Sequence, residues 1–460
     1  MKPLVVVLAA GLGTRMKSGL AKAIHPVAGR PLVQHVLRAA AGIDPAAIAL
    51  VVGHQAEAVK KAAEEYRPVI IFQQEQLGTG HAVRQARDLI ANAEGPVVIL
   101  CADTPLLTTE TLKTVEEAHR KSRAAVTFIT ARVENPFGYG RIVRNKTSVT
   151  KIVEEKDATA AQKKITEVNA GIYCFEKKFL LSSLDGLGKN NAQGEYYLPD
   201  AIALAKKRKQ RVSTVLCEDV NEVLGVNTRE DLSRAEAVMR GRTNRKWMLA
   251  GVTMFDPAST FIGDEVLLGR DTVLYGNVRL EGKTRLGESC TVYPGSRVAD
   301  STIGNHVVIK DSSVVEESEI ASHAAIGPFA HLRPGAVIGE RARIGNFVEI
   351  KKSVIGEGSK ANHLSYIGDA TVGRDVNIGA GVITCNYDGY EKFRTIIEDG
   401  VFVGSDAQLV APVKIGQGAL IAAGATITRD VPPDALAISR PPQDIREGVA
   451  GRRRKLKQKK

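Results

Sequence analysis

Aliphatic residues recur every six positions through most of the second half of the chain. The recurring residues are Ile262, Leu268, Leu274, Leu280, Leu286, Val292 and Val298, then Ile320, Ile326, Leu332, Ile338, Ile344 and Ile350, and later Val403, Leu409, Ile415, Ile421 and Ile427. A period of six fits neither the 3.6-residue repeat of a helix nor the alternation of an ordinary strand. A fixed short repeat is typical of a solenoid, so each unit is predicted to form one short strand and one turn. Three strands are expected to close a triangular coil of roughly eighteen residues, with the aliphatic side chains inside.

This repeat resembles the hexapeptide-repeat left-handed β-helix, and the left hand is implied by the resemblance alone. The alternative, a sandwich of short strands, needs turn signals every eight to twelve residues rather than every six. A break in the repeat between Cys385 and Phe402 predicts a loop.

The repeat also predicts which side chains stack in neighbouring coils. Inward positions counted from Leu332 advance by six, with five-residue steps to Ile355 and Val372. Residues at equal offsets should then lie about 4.8 Å apart, the spacing between strands. The predicted pairs are Glu349 with Tyr366, Asn346 with His363, and Arg333 with Lys351. A carboxylate, a phenol, an imidazole and two cations are therefore expected along one edge.

The first half of the chain has a different pattern. Apolar runs at residues 4–8, 48–52, 69–72 and 97–100 alternate with helix-like stretches. This alternation predicts a Rossmann-like, mostly parallel sheet with helices on both faces and a ligand crevice at the carboxyl ends of its strands.

A predicted helix separates the two patterns. Thr228 and Asp231 form a possible capping box, helix-forming residues continue to Leu249, and Gly251 ends the helix. The predicted boundaries are residues 1–227 for the α/β domain, 228–250 for a linker helix, 251–437 for the β-helix, and 438–460 for a C-terminal segment with a basic tail.

Composition narrows the class of protein. A length of 460 residues predicts two or three domains. The five cysteines form no CxxC pair, which argues against a disulfide framework or a structural zinc site and favours a reducing cytoplasm. No apolar stretch approaches the roughly twenty residues that span a bilayer. The last nine residues carry seven positive charges, and we expect a solvated, disordered end rather than a specific nucleic-acid site.

A glycine-rich loop follows the first apolar run. Gly11 and Gly13 have no side-chain bulk, so the loop can aim backbone N–H groups at phosphate oxygens, while Arg15 and Lys22 supply cations. Met16 stands where a dinucleotide fingerprint needs its third glycine, and no Walker Gly-Lys-Ser/Thr sequence follows. The loop therefore indicates phosphate binding of another kind.

Two oxygen ligands are predicted near this loop. Asp103 and Asn227 each follow an apolar run, residues 97–101 and 223–226, and both are expected at strand ends. Carboxylate and amide oxygens beside phosphates suit Mg²⁺. An aspartate in such a position is as often a helix cap, but its pairing with the glycine loop favours a metal ligand.

Residues 8–16 with Lys22 resemble the signature of sugar-phosphate nucleotidyltransferases, and residues 73–82, QQEQLGTGHA, narrow the resemblance. The chain is similar over nearly its whole length to the bacterial bifunctional family that combines an N-acetylglucosamine-1-phosphate uridylyltransferase with a glucosamine-1-phosphate N-acetyltransferase. The resemblance implies synthesis of UDP-N-acetylglucosamine, a precursor of peptidoglycan and lipopolysaccharide, from UTP and acetyl-CoA. It also implies Mg²⁺, a homotrimer assembled through the β-helix, and small-molecule substrates.

For the uridylyltransferase the resemblance assigns catalytic roles to Arg15 and Lys22 and metal binding to Asp103 and Asn227. The implied substrate contacts are Leu8, Gly11, Gln73, Gly78, Thr79, Gly138, Glu154, Asn169 and Asn227. Gln73 with Gly78 and Thr79 is expected to hold uracil. Leu12 stands where the family often has lysine, so one phosphate contact is expected to be missing.

For the acetyltransferase the resemblance implies that His363 is the general base and that Glu349 orients it. The implied substrate contacts are Arg333, Lys351, Tyr366, Asn377, Asn386, Tyr387 and Lys392, and the implied coenzyme A contacts are Ala380, Ser405, Ala423 and Arg440. Asn362 stands where the family commonly has glycine.

Two other classes of protein fit parts of this pattern. One is a nucleotide-sugar pyrophosphorylase whose solenoid is only structural or regulatory, and His363 with Tyr366 and Asn386 weighs against it. The other is a non-catalytic regulatory subunit, and the set Arg15, Lys22, Asp103 and Asn227 weighs against that.

Overall fold

The structure is a computed structural model that describes residues 1–458. The chain divides into two compact units, Met1–Arg242 and Thr243–Lys460. The predicted helix is present at Arg229–Leu249 and spans this division, while the finer domain boundaries stay predictions. Its N-terminus is a reciprocal cap, because Thr228 Oγ1 accepts from Asp231 N–H and Asp231 Oδ2 accepts from Thr228 N–H. No helix among residues 1–458 is long and apolar enough to cross a membrane.

The first unit contains the predicted mostly parallel sheet. Its path across the sheet is Val212–Leu216, Val126–Arg132, Glu167–Phe175, Val97–Cys101, Leu4–Ala9, Ala47–Val52 and Val69–Phe72. Glu167–Phe175 is antiparallel to both of its neighbours, and Arg141–Asn145 with Ser148–Val153 forms a hairpin beside it. The short strands Pro26–Val27 and Arg30–Pro31 pair separately.

Helices cover both faces of this sheet. The α-helices are Leu32–Ala41, Ala56–Ala62, Thr79–Gln85, Arg87–Asn92, Thr109–Ser122, Ala160–Lys163, Lys177–Gly186 and Asp200–Lys207, and the 3₁₀ turns are Thr14–Met16, Lys22–Ile24, Glu64–Tyr66 and Val220–Val223. Side chains alternate along the first strand, so that Val5 and Val7 join one core layer while Leu4 and Val6 join the other. A strand buried on both faces explains why its sequence is a continuous apolar run.

One expectation for this unit was wrong. Residues 223–226 do not form a strand, because Val220–Val223 is a 3₁₀ turn and the chain then leads directly into the long helix. Asn227 still reaches the end of the strand Val97–Cys101, since Val226 N–H donates to the carbonyl of Asp103 at 2.7 Å.

The second unit is a parallel β-helix with three faces. The first face contains Thr253–Met254, Val273–Leu274, Thr291–Val292, Val308–Ile309, Ala325–Ile326, Arg343–Asn346, Lys360–His363, Asn377–Ile378, Phe402–Val403, Leu420–Ile421 and Leu436–Ala437. The second contains Phe261–Ile262, Arg279–Glu281, Arg297–Ala299, Val314–Glu316, His331–Leu332, Glu349–Lys351, Tyr366–Gly368, Ile383–Cys385, Gln408–Val410 and Thr426–Ile427. The third contains Leu267–Leu268, Arg285–Leu286, Thr302–Ile303, Glu319–Ile320, Val337–Ile338, Val354–Ile355, Ala370–Val372, Thr395–Ile397 and Val413–Ile415.

The six-residue repeat is the core of this unit. Every predicted inward residue is buried except Leu268, which is half-buried against the same core. The predicted loop is shorter than the break in the repeat. It covers residues 386–394, because Thr395–Ile397 pairs with Ala370–Val372 and rejoins the third face.

The expectation of a disordered basic end was also wrong for the part of the tail that the structure describes. Residues Val449–Gln458 form a helix, and none of its side chains is buried. Lys459 and Lys460 lie outside the described residues.

Candidate functional site

The glycine loop and its cations converge at the carboxyl ends of the central strands. Lys22 Nζ donates to Asp103 Oδ2 at 2.5 Å and to Asn227 Oδ1 at 3.1 Å. Arg15 Nη2 donates to the same Asn227 oxygen at 2.8 Å. Gly13 has a φ of +61°, and an added Cβ would lie 2.7 Å from Lys22 Cβ, so glycine is needed where the loop packs against the lysine. We call Arg15, Lys22, Asp103 and Asn227 the cation cluster.

The two oxygen ligands of the cation cluster fit a divalent cation. The Asp103 carboxylate and the Asn227 amide oxygen converge on one point, since a single ammonium group contacts both. The side chains of Lys22 and Asp103 are 19% and 22% exposed, so the pair is open to a ligand. Hard oxygen donors of this kind are the ligands that Mg²⁺ takes in proteins, where it usually keeps several waters.

The predicted uracil site lies after the strand Val69–Phe72. Gln73 is 4% exposed, and its Nε2 donates to the carbonyl of Gly78 at 3.3 Å. Gly78 has a φ of +101°, and an added Cβ would lie 2.7 Å from the carbonyl oxygen of Tyr196. Thr79 opens the next helix, and its Oγ1 accepts from Leu198 N–H at 3.1 Å. Glycine is therefore required at the bend that brings Gln73 and Thr79 together.

The predicted sugar site contains a carboxyl group with a raised pKa. Burial, followed by the charges of Asp200 and Asp157, raises the pKa of Glu154 to about 7, and Arg141 acts in the opposite direction. Glu154 lies beside the loop of residues 135–141, since a Cβ on Gly140 would be 2.9 Å from its Oε1. A carboxyl group that titrates near neutrality is typical of functional sites.

A buried ion pair supports the sugar-site loop. Arg141 is 1% exposed, and its Nη2 donates to Glu155 Oε2 at 2.6 Å. The same carboxylate oxygen accepts from the N–H of Gly138 at 3.2 Å. Opposite the loop, Asn169 Nδ2 donates to Tyr173 Oη at 2.6 Å, and Asn169 N–H donates to the carbonyl of Gly140 at 2.8 Å. These bonds fix Gly138 and Asn169 relative to Glu154.

Leu8 and Leu12 differ in burial and in local environment. Leu8 is half-buried in the central strand, and its carbonyl accepts from Ala102 N–H at 3.0 Å. The Leu12 side chain is 54% exposed on the glycine loop, where it supplies no charge.

A single column of residues crosses five coils of the β-helix. The ladders pair Ile344 with Ala361, Ala361 with Ile378, Ile378 with Val403, and Val403 with Ile421. The residues two positions after these partners therefore stack at one corner, and they are Asn346, His363, Ala380, Ser405 and Ala423. We call this set the corner column. It places the predicted base in line with three predicted coenzyme A residues.

The ladders confirm the predicted stacking but not the predicted partner of His363. Glu349 pairs in register with Tyr366, and Asn346 with His363. Leu332 pairs with Ile350, which puts Arg333 next to Lys351. Within residues 1–458, however, Glu349 is bonded to Arg333 Nη1 at 2.8 Å, and His363 Nδ1 lies 3.0 Å from Asn346 Oδ1. In the described part of the chain, the Glu349 carboxylate is therefore hydrogen-bonded to the Arg333 guanidinium and not to the imidazole.

Other predicted residues flank the corner column. Asn386 is 7% exposed and donates through Nδ2 to Asp369 Oδ2 at 2.5 Å. Contact with Lys351 lowers the pKa of the Lys392 ammonium, so the two cations lie side by side. Tyr387 pairs with Lys392 across the loop and donates from Oη to the carbonyl of Gly389. Asn377 begins the strand before Ala380, and Arg440 Nη1 donates to the carbonyl of Ala423.

The structure also shows contacts of residues to which the sequence pattern assigns no role. His81 contacts Gln73, Glu155 holds Arg141, and Asp369 holds Asn386. His81 and Glu155 lie inside or next to motifs visible in the sequence, at residues 73–82 and beside Glu154. Asp369 has no such signal, because its partner is seventeen residues away and becomes a neighbour only through the coil.

The two units match two families of transferases, a nucleotidyltransferase and a bacterial hexapeptide transferase. The MobA-like NTP transferase domain family matches residues 5–167. The bacterial transferase hexapeptide family, of six repeats, matches residues 317–352 and 394–429. The fold class predicted from the sequence is thereby confirmed.

Similar proteins match over nearly the whole chain. The bifunctional protein GlmU of Pelobacter propionicus is 51% identical over 445 residues, which cover 96% of this chain and 97% of that protein. The protein of the same name from Heliobacterium modesticaldum is 51% identical over 455 residues, or 99% of both chains. The one from Geobacter sulfurreducens is 49% identical over 98% of both chains. The chain belongs to the family of bifunctional GlmU proteins.

Family membership confirms the predicted enzyme class. The chain is a bifunctional transferase of UDP-N-acetylglucosamine synthesis, with a nucleotidyltransferase domain and a hexapeptide acetyltransferase domain. Its substrates include a nucleotide and an acyl-coenzyme A. Neither a pyrophosphorylase with an inert solenoid nor a regulatory subunit is favoured.

Proposed function

We propose that the cation cluster is the site of uridylyl transfer from UTP to N-acetylglucosamine 1-phosphate. We also propose that the corner column is the site of acetyl transfer from acetyl-CoA to glucosamine 1-phosphate. The observation that supports the first part most directly is the contact of one ammonium group, Lys22 Nζ, with both Asp103 and Asn227. The second part is supported by the stacking of His363 with Ala380, Ser405 and Ala423.

The uridylyl step needs no general base, because the sugar 1-phosphate already presents an anionic oxygen. This oxygen attacks the α-phosphorus of UTP in line, a P–O bond forms, and pyrophosphate leaves. Arg15 and Lys22 stabilise the charge on the transferring group and on the leaving pyrophosphate, while the Gly11 loop binds the phosphates. Asp103 and Asn227 would hold Mg²⁺, which neutralises phosphate charge when bound.

The remaining residues of the first unit recognise the base and the sugar. Gln73, Gly78 and Thr79 hold uracil, and Leu8 lines the same crevice. Glu154 accepts hydrogen bonds from sugar hydroxyls, while Gly138 and Asn169 contact the N-acetyl group. Because Leu12 carries no charge, Arg15 and Lys22 supply the cations at this loop.

In the second unit His363 takes the proton of the sugar amine. Asn346 Oδ1 is an acceptor, so it fixes the imidazole tautomer with the proton on Nδ1 and leaves the lone pair of Nε2 as the base. The amine nitrogen attacks the thioester carbonyl carbon, a C–N bond forms, the C–S bond breaks, and the coenzyme A sulfur takes up a proton. Tyr366 and Asn386 hold the sugar or the oxyanion, and Glu349 acts through Arg333.

Cations and the corner column hold the two substrates of this step. Arg333, Lys351 and Lys392 bind the phosphate of the sugar, and Asn377 and Tyr387 complete the substrate contacts. Coenzyme A runs along the corner column past Ala380, Ser405 and Ala423 towards Arg440. Successive members of the column are one strand spacing apart, so His363 and Ser405 are separated by roughly 10 Å.

The chain is also proposed to form a homotrimer through the β-helix and to work in the cytoplasm. Phe329, Phe347 and Leu364 follow the corner residues of three successive coils, and they are 51%, 55% and 62% exposed. The two phenyl rings stack at 5.4 Å. An exposed apolar ridge next to His363 is suited to burial against another copy of the chain.

The experiment supplies glucosamine 1-phosphate, acetyl-CoA, UTP and Mg²⁺ and follows free thiol and pyrophosphate separately. With N-acetylglucosamine 1-phosphate as the sugar substrate, Asp103→Ala should abolish pyrophosphate release. The same variant should release thiol from acetyl-CoA and glucosamine 1-phosphate at the wild-type rate. Equal loss of both activities in folded protein would contradict the assignment of the two sites.

A further inference from the structure

We infer that His81 is a positioning residue that makes the uracil site selective for UTP over CTP. The inference deepens the proposed function and rests on it, because it concerns the amide of Gln73. Gln73 is 4% exposed, and its backbone is fixed by a 2.8 Å hydrogen bond from Gln73 N–H to the carbonyl of Val52. The orientation of its side-chain amide then decides which group of a base Gln73 can bond.

Two acceptors define that orientation. Gln73 Nε2 lies 3.3 Å from the carbonyl oxygen of Gly78 and 3.0 Å from His81 Nδ1. A backbone carbonyl can only accept, so the amide group that faces it must be the NH₂. His81 Nδ1 then accepts the second N–H, and the NH₂ is held by both of its hydrogens. In the described part of the chain, Gln73 Oε1 has no hydrogen-bond partner.

The free oxygen determines which base edge fits. Uracil presents an N3–H donor, which Gln73 Oε1 can accept. Cytosine presents an unprotonated N3 at the same place, so two acceptors would face each other. An amide turned by half a revolution would reverse this preference, because its NH₂ would then face the base. The selectivity therefore depends on the two acceptors that oppose that turn, the carbonyl of Gly78 and His81 Nδ1, and the contact with His81 is the shorter of the two.

The imidazole is itself held in place. It stacks on Tyr196 with ring centroids 6.2 Å apart, and it lies on the helix Thr79–Gln85. With Nδ1 accepting, the neutral ring carries its proton on Nε2. The exposed side chain of Gln85 lies above the other ring nitrogen, where its Nε2 is 3.1 Å from His81 Nε2 and donates to the carbonyl oxygen of His81 at 3.3 Å. A chain from Gly78 through Gln73 to His81 thus fixes one tautomer and one amide orientation.

The test compares UTP with CTP as the nucleotide donor to N-acetylglucosamine 1-phosphate, using the full-length protein. His81→Phe keeps a ring for Tyr196 but removes the acceptor, whereas His81→Asn keeps an acceptor close to the position of Nδ1. We expect His81→Phe to lower the UTP to CTP ratio of kcat/KM about tenfold or more, the cost of one misdirected buried polar group. His81→Asn should restore most of the ratio. Thermal unfolding and circular dichroism of each variant control for folding of the first unit.

A double-mutant cycle separates positioning from general loosening of the site. In a Gln73→Ala background, His81→Phe should have no further effect on the ratio, because the group that it positions is gone. If His81→Phe slowed UTP and CTP equally, or if the ratio stayed at the wild-type value, the inference would be wrong. A wild-type enzyme without preference for UTP would instead contradict the proposed base-reading role of Gln73, so the two failures are distinguishable.

Discussion

Glu154 shows how burial sets the chemistry of a single carboxyl group. Removal from water and the nearby charges of Asp200 and Asp157 favour the neutral acid, and they raise its pKa to about 7. Arg141 does not reverse this shift, because its guanidinium is bonded to Glu155 instead. Glu154 therefore changes charge in the pH range in which the enzyme is assayed.

This pKa predicts a pH dependence of sugar binding. A carboxylate accepts stronger hydrogen bonds from hydroxyl groups than the protonated acid does. The KM for N-acetylglucosamine 1-phosphate should therefore fall as the pH rises through about 7, where Glu154 loses its proton. The sugar phosphate also titrates, and its effect on KM is shared by the wild-type protein and Glu154→Gln. The measurement is therefore the ratio of the two KM values at each pH between roughly 5.5 and 8.5, a range that brackets this pKa. A ratio that is constant with pH would contradict the prediction.

His363 supports a second prediction at this scale. Loss of a general base typically lowers a rate by roughly 10² to 10⁴. His363→Ala should lower thiol release by that order and leave pyrophosphate release unchanged.

Asn346 provides the matched control for His363. Asn346→Asp keeps an acceptor for Nδ1–H, whereas Asn346→Leu removes it. We expect the leucine variant to lose more acetyltransferase activity than the aspartate variant. If His363→Ala kept a nearly full rate at saturating substrates, Tyr366 or a water would have to serve as the base.

At the scale of the element, the repeat made much of the second unit predictable. A strict six-residue period fixes which side chain points inward, and the two five-residue steps could be read from the aliphatic positions alone. The register then follows by counting, which is why the pairs Glu349–Tyr366 and Asn346–His363 were correct. Side-chain direction is not contained in such a count. The bonding of Glu349 to Arg333 depends on rotamers at the corner.

The first unit was predictable where its pattern was long. Its buried strands read as continuous apolar runs, but residues 223–226 imitate one and are too short to decide between a strand and a turn. The contacts of His81 with Gln73 and of Arg141 with Glu155 each join a polar side chain on a helix or strand to one in a connecting segment. The path of the connecting segments, rather than the hydrophobic pattern, brings these groups together, so the sequence indicated the motifs and not the bonds.

The proposed phosphate binding by the glycine loop can be tested by a substitution in the loop. Gly11 has no neighbouring atom within 4 Å of an added Cβ, so Gly11→Ala should fold normally. The methyl group would stand where phosphates approach the backbone N–H groups, and pyrophosphate release should fall about tenfold or more. Gly19→Ala is the control, because Gly19 also has open space but lies outside the residues assigned to phosphate binding. Equal activities of the two variants, measured as kcat/KM for UTP, would argue against phosphate binding by this loop.

At the scale of the whole molecule, each compact unit has its own core. The aliphatic residues of the coils form one cluster from Trp247 to Val431, and the sheet of the first unit has a separate layer on each face. Each proposed site is also built from residues of a single unit. Chemistry at one site therefore does not depend on a side chain from the other unit, which is why selective loss of one activity is expected.

The basic C-terminal helix gives the last prediction. Val449–Gln458 has no buried residue, and Leu456, its one large aliphatic side chain after Val449, is 69% exposed. A helix without an apolar face has little to gain from docking on the β-helix, and its clustered positive charges repel one another. Truncation after Gly451 should therefore leave both activities and the mass of the proposed trimer unchanged, as measured by the two product assays and by light scattering. A truncated protein that dissociates or loses acetyl transfer would show that this helix contributes to assembly.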